Sequence, residues 1–131
     1  MKRILIFGFA ALIAAACGGS SGGGNPLVPD GGSAGPSGAT ITIGANGAVS
    51  PANVTIAVGQ SVTFVNNDSR AHEMASDPHP NHTDCPSVNA LHVISAGQTK
   101  LTNAFNSAGS CGYHDHGDPN NNSLRGRITI Q

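Results

Sequence analysis

Tryptophan is missing from this sequence, tyrosine occurs once and phenylalanine four times. So few large aromatic side chains leave a small domain with a thin core. Charge is scarce as well: six Lys and Arg against seven Asp and Glu give a formal net charge of −1. From Thr40 onward the basic residues are Arg70, Lys100, Arg125 and Arg127, and the acidic ones Asp68, Glu73, Asp77, Asp84, Asp115 and Asp118. They form no basic patch, which argues against nucleic acid as a partner. No apolar run is long enough to cross a bilayer as a helix. The chain shows no internal repeat, no 3.6-residue apolar period after its first residues, and no Ser-His-Asp order or paired carboxylates suited to nucleophilic or acid–base catalysis.

What is present begins with a leader. "MKR" is a positive start, and Ile4–Ala16 is a short apolar run ending in small residues before Cys17. Residues 1–16 therefore read as a secretory signal peptide. The ending "LIAAAC" resembles a bacterial lipoprotein signal, which implies lipidation of Cys17 and attachment to a membrane without spanning it. Residues 17–39 then form the lipidated cysteine and a Gly-, Ser- and Pro-rich linker, a flexible tether. Residues 40–131 are the folded domain, held in the cell envelope on the periplasmic or cell-surface side.

Within that domain, "TITI" (Thr40–Ile43), "NVTIAV" (Asn53–Val58), "SVTFVN" (Ser61–Asn66), "QTKLTNAF" (Gln98–Phe105) and "GRITI" (Gly126–Ile130) alternate and are rich in β-branched residues. Gly, Asn and Pro separate them. The pattern predicts an all-β sandwich. Glu73–Ala90, with its prolines, asparagines and histidines, reads as one long loop, and long loops in small domains tend to carry function. All six histidines fall in this domain.

The stretch "SPANVTIAVGQSVTFVNNDSRAHEMASD" resembles the N-terminal half of a cupredoxin, and "FNSAGSCGYHDH" followed by "LRGRITI" resembles its C-terminal half. The resemblance implies a cupredoxin-like Greek-key β-sandwich that binds one copper ion, with zinc a weaker candidate. In that family the loop after the second of two such strands carries a ligand histidine, which falls here on His72. "GSCGYHDH" also overlays the "GTYWYHSH" run of multicopper oxidase domains, matching Gly109, Tyr113, His114 and His116, and implying that His114 and His116 are copper ligands.

Two readings of Cys111 compete. It has the residue types around it for a blue-copper site: Cys111 and His114 as a C-x-x-H pair, His72, and Leu124 in the axial place. Register favours the other reading. In the family pattern the copper cysteine lies six residues past a glycine that opens the last strand before the ligand loop, and from Gly109 that slot is Asp115. Removing Cys17 leaves an even pair in an exported chain, so a disulfide between Cys85 and Cys111 is expected. A small core gains from such a staple.

The metal set expected is therefore His72, His114 and His116 at one end of the sandwich, with His82 and His79 from "SDPHPNH" as further candidates. His114 and His116 stand two apart and point the same way if the strand continues that far. His92 is expected at a strand edge or partly buried, Asp115 as a hydrogen-bond partner of a ligand or a residue that fixes the loop, and Tyr113 in the core. The function expected is copper handling or electron transfer, with a redox partner or copper chaperone. The alternatives are a small copper oxidoreductase acting on superoxide or peroxide, and a metal-free β-sandwich used for binding.

Overall fold

The structure is a computed structural model that describes residues 35–131. The expected signal peptide, the expected lipidation site Cys17 and most of the expected linker lie outside the described residues. Nine strands carry the fold in chain order: β1 (Ser37–Ile43), β2 (Val49–Ser50), β3 (Asn53–Ile56), β4 (Ser61–Asn66), β5 (His72–Ser76), β6 (Val93–Ile94), β7 (Thr99–Leu101), β8 (Gly109–Asp115) and β9 (Arg125–Ile130). One short helix, α1 (Pro86–Asn89), lies between β5 and β6, and a 3-10 turn (Asn122–Leu124) precedes β9. Among the described residues no helix is long and apolar enough to cross a membrane.

The strands make two sheets, β2-β1-β4-β7 and β3-β9-β8-β5-β6. β1 runs parallel to β4, and β3 parallel to β9; the other pairings are antiparallel. Each strand offers one apolar face, so two sheets stacked face to face can bury both. Ile41, Ile43, Val62 and Phe64 meet Met74, Tyr113, Ile128 and Ile130 in a single core. Phe64 and Tyr113 pack edge to face with ring centroids 5.5 Å apart, an arrangement the ring quadrupoles favour. The Tyr113 hydroxyl donates to the Ala52 carbonyl at 2.9 Å, as a buried phenol must. Burial pushes its pKa upward.

The disulfide joins Cys85 to Cys111 across 26 residues. Both cysteines are buried in the core cluster. The bond staples the segment after β5 to β8. It also removes both sulfurs from the set of metal donors.

Three expectations need correction. The first strand starts at Ser37, inside the stretch read as linker, because Pro36 O accepts from Ser61 N and Ser37 pairs with Ser61. Glu73–Ala90 is not one loop: its first residues complete β5, and Pro86–Asn89 is helical. "HEMAS" lacks the β-branched residues that mark strands, and it is extended because β6 and β8 pair with it on both sides. "QTKLTNAF" is a strand only over Thr99–Leu101.

Candidate metal centre

The site is built on β5 and β8, and the pleat decides what each residue faces. Their register places Met74 opposite Asp115, Ala75 opposite His114 and Ser76 opposite Tyr113. Residues directly opposite share a face, and faces alternate along each strand. Met74, Cys111 and Tyr113 belong to the core, so His72 and Asp115 lie on the core side. Gly112 and His114 lie on the face turned away from the core, and His116 follows in the turn just beyond β8, beside His82.

On that outer face the segment after β5 folds back over β8. Asp77 N donates to Gly112 O at 3.0 Å and Asp84 N to Asp77 O at 2.9 Å, which closes a loop carrying His79 and His82. His82 sits at φ 49°, the left-handed region that a non-glycine residue enters at a cost. Local bonds hold it there: His82 N donates to Pro78 O at 2.7 Å, and Asn89 Nδ2 donates to His82 O at 2.8 Å. Asn89 also accepts from Ser76 N through Oδ1 at 2.8 Å, so α1 ties the loop to the end of β5.

The result is a histidine cluster. The candidate ligand nitrogens of His79, His82 and His114 all lie within 4.8 Å of one another. A tetrahedral ion with bonds of about 2.0–2.1 Å separates its nitrogen donors by about 3.4 Å. His79 is the exposed member of the three. His116 completes a ring of four imidazoles: its Nδ1 is 3.3 Å from His82 Nε2, and its centroid is 4.8 Å from that of His82 and 5.4 Å from that of His79. The His82 pKa is lowered, first by desolvation and then by the neighbouring His116, His114 and His79, with Glu73 acting in the opposite direction. The lowered value favours the neutral imidazole, the form that binds metals.

His114 is the buried member, with 1% of its surface exposed. Its Nδ1 is 2.7 Å from Asp77 Oδ1. Its Nε2 is buried with no hydrogen-bond partner among the described residues. An unpaired buried nitrogen is costly, so its place among other imidazoles calls for an explanation.

His72 stands apart. Its Nε2 is 2.9 Å from Asp68 Oδ2, and its Nδ1 is 2.5 Å from Asp115 Oδ2. Both ring nitrogens are engaged by carboxylates, and the pleat points the ring to the core side of the sheet. Asp68 also accepts from Ser69 N at 2.6 Å and from Arg70 Nη2 at 3.3 Å. The hydrogen bond to His72 is the main cause lowering the Asp68 pKa from 3.8 to about 2.

Of the residues expected at the metal, the structure thus brings His79, His82, His114 and His116 together, while His72 is tied into a separate carboxylate pair. Asp115 bonds to His72 and accepts from Gly117 N at 2.8 Å, which fixes the turn after β8. His92 lies exposed at the edge of β6, just before Val93, at φ 49°. Asp77 was not singled out in the sequence, though it opens the same "DPHPNH" segment as His79 and His82.

No family model matches the chain, and no curated protein matches it. Solved structures do. A purple cupredoxin from Nitrosopumilus maritimus is similar at 24% identity and a TM-score of 0.55, over 71% of this chain and 99% of that one. Oxidised plastocyanin from Dryopteris crassirhizoma is similar at 16% identity and a TM-score of 0.56, over 70% and 99%. Amicyanin from Paracoccus versutus is similar at 21% identity and a TM-score of 0.55, over 72% and 81%. The fold of residues 35–131 is that of the cupredoxins.

Proposed function

We propose that this chain is a lipid-anchored, extracytoplasmic cupredoxin-like protein that binds one copper ion through His79, His82 and His114, with His116 at the exposed rim. The observation that carries the reading is the buried, unpartnered Nε2 of His114 beside the nitrogens of His79 and His82. Neutral imidazoles suit Cu(II) and Zn(II), and the affinity order for such donors peaks at copper. Solved neighbours include an amicyanin in its Cu(I) form, which is consistent with copper here. When bound, the ion would supply one-electron chemistry. The chain's own residues orient it: His114 from the strand, His79 and His82 from the stapled loop.

With Cys85 and Cys111 joined, the site has nitrogen donors only. Such a site lacks the thiolate that adapts blue-copper centres to rapid electron transfer. Copper handling, with direct exchange across the exposed His79–His116 side, fits this arrangement better than rapid electron transfer. A copper chaperone or redox partner would meet the ion there, and the Cys17 lipid and linker would let the domain reach it from the membrane. Cys17→Ser should release the protein from the membrane fraction; unchanged fractionation and mass would refute the anchor.

The test of the site is titration of the disulfide-intact domain with Cu(II), followed by absorption and electron paramagnetic resonance. One equivalent should bind, with weak visible bands and nitrogen hyperfine structure. An intense thiolate-to-copper absorption, lost in Cys111→Ala, would overturn the reading.

A further inference from the structure

His114 can serve a metal only if its Nε2 is bare, and a free imidazole does not guarantee that. Two neutral tautomers exist, and the partner of the other nitrogen selects between them. Here Nδ1 faces Asp77 Oδ1 at 2.7 Å. An ionised carboxylate only accepts hydrogen bonds, so the proton must sit on Nδ1, and the Nε2 lone pair is left free.

Three further features place that carboxylate. Asp77 lies directly over Gly112 on β8, and a methyl group at residue 112 would overlap Asp77 Oδ2. The missing side chain is therefore what lets the carboxylate settle against the strand, next to the ring two residues further on. Arg125, opposite His114 in the β8–β9 register, holds a guanidinium nitrogen 3.8 Å from the same Asp77 oxygen. The backbone bond from Asp77 N to Gly112 O fixes the remaining degree of freedom. Three separate features thus converge on one residue: the gap at Gly112 receives Asp77 Oδ2, Arg125 lies near Oδ1, and the backbone bond anchors Asp77 N.

We propose that Asp77, seated in the gap at Gly112, is the positioning residue of the metal centre: it holds His114 in the tautomer that aims Nε2 at the ion and supplies a negative charge one shell out. The role in metal binding rests on the histidine site proposed above. The charge matters because the imidazole donors are all neutral and leave the positive charge of a divalent ion uncompensated. Gly112 and Asp77 act as a unit, although neither touches the metal.

The experiment has two arms. The first is the metal-free protein, about one pH unit above the ordinary imidazole range near ~6.5. Nitrogen-15 NMR should show His114 almost wholly protonated on Nδ1. Asp77→Ala should release it into a mixture of tautomers, and Asp77→Asn, whose amide oxygen can still accept, should restore the single tautomer. The second arm measures Zn(II) affinity by competition with a chelator. Asp77→Ala should weaken binding about 10- to 100-fold, the usual effect of losing such a partner. Asp77→Asn should lose less, and Gly112→Ala should match Asp77→Ala. The double variant should be no weaker than either single one, since both remove the same contact. Circular dichroism checks that each variant is folded, and the near-isosteric Asn variant keeps the test valid if the Ala variants are not.

An unchanged His114 tautomer in folded Asp77→Ala would overturn the proposal. So would Gly112→Ala and Asp77→Ala losses that simply add. Failure of the wild type to bind Zn(II) or Cu(II), with the tautomer still governed by Asp77, would instead overturn the metal reading. The two failures are thus distinguishable.

Discussion

The same pair of strands carries two histidine environments, one on each face. On the core side, His72 has a carboxylate at each ring nitrogen and nothing left to offer an ion. On the outer side, His114 has a carboxylate at one nitrogen only, and its other nitrogen is buried without a partner beside His79 and His82. Burial does not separate them, since both are nearly inaccessible. The accounting of donors and acceptors does. A histidine with both nitrogens paired is part of the structure, and one with a single buried nitrogen unpaired is poised for a ligand.

The strongest way to break this contrast is to delete one histidine from each face. His114→Ala should reduce Cu(II) affinity by more than about 100-fold, beyond the upper end of an outer-shell loss. His72→Ala should leave the affinity of the folded protein unchanged. Competition titration with the two variants side by side decides the matter.

Next in size is the disulfide, whose cysteines are buried on the core side while the loop it staples lies outside. Cys111→Ala should lower the unfolding free energy by about 2–5 kcal/mol in denaturant titration. It should not change the weak visible spectrum of whatever fraction remains folded with copper.

The His72 network should show itself in stability alone. His72→Ala leaves Asp68 and Asp115 without their common partner, so the thermal midpoint should fall by several degrees with no spectral change at the metal. Acid provides the same test without mutation. The folded Asp68 pKa lies below its ordinary value, so its contribution is present above about pH 4 and is lost as pH falls toward 2. In His72→Ala the loss over that window should shrink.

At the outer site the smallest effect is a shift in pH dependence. The lowered His82 pKa means the folded domain takes up its proton less readily than the unfolded chain. Stability of the metal-free domain should therefore rise with pH through the range just below ~6.5. His82→Gln should flatten that rise, measured as the midpoint of denaturant unfolding against pH.

Much of this was legible in the sequence, because much of it is local. Alternation marked Ser61–Asn66 to the residue, and the H-x-H run marked His114 and His116 as neighbours at the end of the strand, although β8 stops at Asp115 and His116 lies in the turn beyond it. An even cysteine pair, in a chain whose leader predicts export, pointed to Cys85–Cys111. What could not be read was register between distant strands. His72 was assigned to the metal by its position in a family-like loop, but its face depends on how β5 pairs with β8. A slip of one residue would have reversed it. Asp77 escaped for a related reason: its significance depends on the gap at Gly112, and no pattern around either residue joins them. The strand His72–Ser76 was hidden because its own residues have little strand preference, and its two neighbours impose the conformation.

The most direct test leaves every side chain in place. Nitrogen-15 NMR of the domain before and after one equivalent of Zn(II) or Cu(I), both diamagnetic, reports which imidazole nitrogens bind. The expected result is a metal-bound shift at His114 Nε2 and at one nitrogen each of His79 and His82, with both His72 nitrogens unmoved. A metal-bound shift at His72, with His79 and His82 unchanged, would contradict the account and place the ion on the core side of the sheet.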